Sequence, residues 1–138
     1  MRLELYQNEI TQIAKEQSEV LQEVRQKLLA GTSLSRLETN GLLHAVQLLV
    51  ESAIGKAKQI LKAREEPVPI SGYDAFMALA RIQDITDSDL KEWNSVIGLR
   101  NRIVHEYMNI DIALVLELIR ENKMEFVISF LLEPIGDG

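Results

Sequence analysis

Between Leu42 and Ile54 the sequence reads LLHAVQLLVESAI, with polar side chains only at His44, Gln47, Glu51 and Ser52. Wound as an α-helix, this segment is apolar almost all the way round, so it must be covered on several sides at once. No stretch of the chain alternates apolar and polar residues for long enough to make a sheet that would cover it. Other helices have to do so. The expected fold is therefore all-α, an antiparallel bundle of four to five helices with this segment near its centre. At 138 residues, 46% hydrophobic and 26% charged, residues 1–138 are enough for one such domain with a real core.

The covering helices can be read in order. Residues 2–29 place Leu3, Tyr6, Ile10, Ile13, Val20, Val24 and Leu28 at spacings of three and four, interrupted by Gln17, and Gly31-Thr32-Ser33 ends that helix. The central helix runs from Ser35 to about Arg64, and Pro67 and Pro69 break the chain after it. Ser71 and Asp74 then form a capping-box variant for a short helix reaching about Ile82, with Phe76, Leu79 and Ala80 inward. Asn109 or Asp111 caps one last helix whose inward face is Ile112, Val115, Leu116, Ile119, Phe126, Val127 and Phe130. Glu133 to Gly138 read as a frayed tail. Met1-Arg2-Leu3-Glu4 opens an amphipathic helix and not a signal peptide, and no apolar run reaches membrane-spanning length, so a cytoplasmic location is expected.

The helix that begins at Thr86, Asp87 or Ser88 and ends near Tyr107 is unlike the others. At roughly 100° per residue, Trp93, Val96, Ile97, Arg100, Ile103, Val104 and Tyr107 share one stripe. A guanidinium in that line needs a partner, a cleft or an interface. Beside the stripe runs a row of Asn94, Gly98, Asn101 and His105. Glycine in a helix interior costs about 1 kcal/mol against alanine, so Gly98 points to close approach by another backbone or a ligand. Glu51, set in the most apolar segment, needs a cation such as Arg100. His44 and Lys58 read as a solvated stripe, Tyr73 and Asp74 as structural, and Arg102 with Glu106 as a solvated ion pair.

Arg100-Asn101-Arg102-Ile103-Val104-His105-Glu106-Tyr107 fits the pattern R-x4-H-x-Y, with Asn directly after the Arg. Together with the apolar helix Leu42–Ile54 and Tyr73-Asp74-Ala75-Phe76, it resembles the HEPN superfamily, in particular the HepT-like toxins of HEPN/MNT toxin–antitoxin pairs. The resemblance spans nearly the whole chain. It implies a helical bundle, an RNA-cleaving toxin, and a nucleotidyltransferase antitoxin that attaches AMP to the tyrosine matching Tyr107.

The residues themselves narrow the chemistry. Without cysteine there is no disulfide scaffold, thiolate zinc site or cysteine nucleophile. A net charge of −6 argues against a general nucleic-acid coat but leaves room for an enzyme that grips one or two phosphates. One histidine with only Glu106 or Asn101 near it is a poor metal site, and no serine pairs with His105 for acyl transfer. Metal-free RNA cleavage fits, because the attacking group is the RNA's own 2'-hydroxyl. His105, with an ordinary pKa of about 6.5, is the general acid or base. Arg100 offers the phosphorane a fixed, forked cation, and Asn101 holds the phosphate or orients the ring. No cofactor is called for. A symmetric homodimer with two motif helices face to face would supply a second histidine, and the apolar stripe through Trp93 and Ile97 suits that interface. The alternative is a non-catalytic helical module that binds nucleotide or a nucleotidyltransferase partner.

Overall fold

The computed structural model describes residues 2–136. Within them are six α-helices: α1 (Arg2–Leu29), α2 (Arg36–Ala63), α3 (Gly72–Arg81), α4 (Asp87–His105), α5 (Ile112–Arg120) and α6 (Glu125–Leu132), with a 3-10 turn at Tyr107–Asn109. The all-α expectation holds, and no strand occurs among the described residues. The helix count exceeds the expectation because the final helix is two: the chain turns at Glu121–Met124, where Asn122 takes φ 58°. Asparagine tolerates that left-handed backbone better than most residues.

The starts of α2, α3, α4 and α5 carry side-chain caps. Ser35 and Glu38 form a full capping box on α2, and Thr86 and Asp89 form another on α4. Ser71 Oγ accepts from the Asp74 amide without the reciprocal bond, and Asp111 caps α5. Each such cap stabilises its helix by about 1 kcal/mol. α4 runs antiparallel to α2, since Arg100 meets Glu51 while Tyr107, further on, meets Asn40, earlier in α2.

The Leu42–Ile54 segment is central as expected. Leu42, Ala45, Val46, Leu49, Val50 and Ala53 are all fully buried, and α2 packs against α1, α3, α4 and α6. Every Phe and the one Trp of the chain gather at the far end of α4. Phe76 stacks on Trp93 at 4.2 Å between centroids, and Phe126 and Phe130 meet the indole edge-on at 4.9 Å. These rings weld α3, α4 and α6 together.

That welding corrects one expectation. Trp93, Val96, Ile97 and Ile103 are buried in this chain's own core, joined by Leu99, so the stripe through Trp93 and Ile97 is not a free face for a second copy. On α1 the buried set is Ile10, Ala14, Leu21 and Val24, the small Ala14 and the off-stripe Leu21 having given no sequence signal. The expected frayed tail is also corrected up to Gly136. Ile135 packs on the core, and Lys56 Nζ donates to the carbonyls of Phe130 at 2.6 Å, of Leu131 at 3.4 Å and of Glu133. Asp137 and Gly138 lie outside the described residues.

Candidate functional site

Arg100 sits where α4 passes the middle of α2. Its Nε and Nη2 both donate to Glu51 Oε2, at 3.0 and 2.8 Å, and Nη1 donates to Asn101 Oδ1 at 3.0 Å. The expected partner of Glu51 is therefore the one found. Gln47 Nε2 also donates to that carboxylate oxygen, at 3.2 Å. Both ends of the pair are about one-third exposed, at 27% and 32% for the two side chains. A pair this wet adds little stability, roughly 0–1 kcal/mol, but it aims the guanidinium. Of the five N–H groups a guanidinium carries, two have no acceptor among the described residues.

Arg100 and Asn101 form one wall of a cavity of about 520 Å³, with Glu51, Ile54, Lys58 and Tyr73 opposite. Lys58, read from the sequence as merely solvated, lines it while donating to the Ile70 carbonyl at 2.6 Å. Tyr73, read as structural, explains Gly98. A Cβ there would stand 3.2 Å from the Tyr73 phenol oxygen, so the close neighbour is a side chain and not a backbone. Gly72 fixes the approach, because a Cβ at that position would collide with Ile54 at 2.7 Å. The sequence carried half of this signal, a glycine in mid-helix. It did not say which distant tyrosine filled the gap.

His105 is the last residue of α4 and is exposed, one turn beyond Asn101 on the same row. It does not line the cavity and has no hydrogen-bond partner among the described residues. Glu106 leaves helical geometry at φ −135°, ψ 39°, so Tyr107 does not continue the stripe above Arg100, as the sequence spacing predicted. It lies in the 3-10 turn, 46% exposed, with its phenol 2.5 Å from Asn40 Oδ1. Asn40 precedes Glu51 by three turns of α2, about 16 Å at 1.5 Å per residue. The phenol thus stands well away from the Arg100 guanidinium. The same helix end denies Arg102 its expected partner, and no Arg102–Glu106 ion pair forms among the described residues.

No three His, Asp or Glu side chains among the described residues converge on a possible metal position. No helix is long and apolar enough to cross a membrane among the described residues. A second opening, of about 500 Å³, lies between Lys56, Arg64, Trp93 and the Glu133–Gly136 segment. Its cations are already engaged, Lys56 by carbonyls and Arg64 by Asp84 at 2.6 Å. Burial pushes the Lys56 ammonium down to about 8, against the pull of the Glu133 and Asp84 carboxylates.

Residues 7–132 match the family described as Ribonuclease HepT-like, and the chain belongs to that family. Over 88 residues it is 32% identical to the tRNA nuclease HepT of Aphanizomenon flos-aquae (strain 2012/KM1/D3), which is 64% of this chain and 54% of that protein. Over 81 residues it is 27% identical to the mRNA nuclease HepT of Shewanella oneidensis, 59% of this chain and 61% of that one. The chain thus aligns with little more than half the length of these relatives. Its fold matches a chain of a solved structure described as "Crystal structure of the toxin-antitoxin with AMP-PNP", with a TM-score of 0.76 at 19% identity, covering 91% of this chain and 97% of that one.

Proposed function

We propose that this chain is an endoribonuclease toxin that cuts RNA without a metal ion, by attack of the 2'-hydroxyl on its own phosphate. The observation that carries the reading is the Arg100 fork, held by Glu51 and Asn101 at a cavity wall with donors to spare and an exposed histidine one turn further along α4. Arg100 receives the phosphate and neutralises the phosphorane. Asn101 keeps the guanidinium aimed. His105 moves the proton, its open position leaving both ring nitrogens to substrate and water. The names of the two relatives, a tRNA nuclease and an mRNA nuclease, support RNA as the substrate class.

One histidine serves one proton transfer. A second copy supplies the other in a symmetric dimer, with exposed Val104 and Met108 beside His105 as the apolar contacts in place of the buried stripe. The partner is a nucleotidyltransferase antitoxin that attaches AMP to Tyr107. The exposed phenol is open to such an enzyme, and the nucleotide acts by covering the cleft mouth rather than by occupying Arg100. The rival reading is a non-catalytic helical module, which the absence of any group orienting His105 among the described residues favours.

Purified protein tests the two. Cleavage of single-stranded RNA in EDTA, leaving a 2',3'-cyclic phosphate and lost in His105→Ala and Arg100→Ala, is the expected result. Inhibition by EDTA, or normal cutting by both variants, overturns it in favour of the module. Intact mass after co-expression with the nucleotidyltransferase should rise in multiples of AMP, and Tyr107→Phe should abolish the rise. Sedimentation should give a dimer at micromolar concentration.

A further inference from the structure

Three features of the cavity beside Arg100 go unused by the phosphate chemistry. Tyr73 is 39% exposed, its phenol has no hydrogen-bond partner among the described residues, and it is held against α4 by the missing Cβ of Gly98. Capping accounts for Asp74, since its amide bonds Ser71 Oγ at 3.0 Å, but nothing in the cap needs an aromatic ring one residue earlier. Lys58 is tethered by one bond to the Ile70 carbonyl, which fixes an ammonium with two further donors at the same wall. Finally, the cavity lies on the side of Arg100 away from His105. From Gly98 to His105 the α4 row rises about 10 Å, with Arg100 and Asn101 between.

We propose that this cavity is a nucleotide subsite, in which Tyr73 stacks on the base next to the scissile phosphate and Lys58 holds that nucleotide's outer phosphate. The inference rests on the ribonuclease reading of Arg100 and His105, and says what the enzyme grips besides the reacting group. A phosphate at Arg100 directs one flanking nucleotide toward His105 and the other toward Tyr73. Every base has a π-face, so stacking there adds affinity without demanding one sequence. At about 520 Å³ the space is within the usual range of small-ligand sites. It also reconciles RNA binding with a net charge of −6, because the grip is local: two cations and a ring, not a basic surface.

The test uses the full chain and a short single-stranded RNA, intact or with the base removed on one side of the cut bond or on the other. For the wild type, removing the base on one of the two sides should raise KM roughly ten-fold, the scale of one aromatic–base stack. Tyr73→Ala should raise KM as much on intact RNA and show no further loss on the abasic strand, with kcat within about two-fold. Tyr73→Phe, which keeps the ring, should behave as wild type. Lys58→Met should flatten the slope of log KM against log salt by about 0.7, the loss of one single-strand phosphate contact. Equal KM values for all three strands, or base discrimination that survives Tyr73→Ala, overturn the subsite while leaving the nuclease standing. If the wild type cuts no RNA, the catalytic reading falls and binding decides the subsite, with an uncleavable 2'-deoxy strand as probe. A shift of the Gly98 amide resonance that is absent in Tyr73→Ala supports it, and an unmoved Gly98 overturns it.

Discussion

Two cations hold opposite places in this bundle. Lys56, 2% exposed, is the one buried charged side chain among the described residues, and backbone carbonyls at the end of α6 receive its ammonium. Arg100, on α4, is about one-third exposed and leans on a carboxylate that holds only part of its fork. Saturation makes Lys56 structural. Its three donors are taken up by the carbonyls of Phe130, Leu131 and Glu133, the second of which also accepts from Gln7 Nε2 at 2.8 Å, so no donor is left over for a ligand. Incomplete saturation leaves Arg100 with two donors that have no acceptor among the described residues, as the proposed grip on a phosphate requires. Charge and burial alone rank Lys56 as the more unusual residue, yet it is the one with no donor to spare.

The widest separation should appear in activity. Arg100→Met is expected to lower kcat for RNA cleavage by at least about 100-fold, the scale of one lost oxyanion donor. Its unfolding midpoint should stay within a few degrees of wild type, because a one-third exposed pair contributes about 1 kcal/mol at most. Parallel rate assays and thermal melts would break the comparison if Arg100→Met proved as unstable as a core variant.

Lys56→Met should do the reverse. Losing a buried donor removes the Lys56 bonds of the Phe130 and Glu133 carbonyls, a destabilisation of about 2 kcal/mol by denaturant unfolding, with kcat unchanged in the protein that remains folded. A drop in kcat at full folding would mean that the second opening takes part in the reaction.

Glu51→Gln sharpens the contrast from the other side. Removing the negative charge strengthens the hold on an RNA phosphate while loosening the aim of the guanidinium. KM should fall and kcat should fall several-fold, a split that a purely structural Glu51 would not show.

The smallest effect is in pH. With its folded pKa lowered to about 8, Lys56 binds fewer protons than in the unfolded chain between about pH 8 and 10. Stability from this group therefore rises with pH across that window, and below it the penalty of burying the charge is fully present. Denaturant midpoints from pH 8 to 10 should show a gentle rise that Lys56→Met lacks.

What the sequence made legible follows from local rules. Caps at Ser35, Ser71, Thr86 and Asp111 depend on neighbours three residues apart, and they located the helix starts. The Glu51–Arg100 pair could be inferred across 49 residues because a carboxylate among Val50 and Ala53 has so few ways to be satisfied. Tyr107 could not be placed, since an α-helix that ends two residues early moves a side chain to another face without any change in composition. Lys56 and Tyr73 were invisible for a related reason. Their roles are set by carbonyls and a glycine far along the chain, and no periodicity reports those.

Lys56 is synthesised long before the groups that receive it, 74 residues ahead of Phe130. A chain still on the ribosome with Arg120 just added already holds α1, α2 and the whole Arg100–His105 segment, yet the middle of α2 has no acceptors for a side chain that belongs in the core. Burying that ammonium bare is unfavourable enough to keep α2 from settling against its neighbours. The order of synthesis thus defers the cleft until α6 has been made. The Arg100 cleft, built on the middle of α2, is then completed only after the α6 residues that receive Lys56 have left the ribosome.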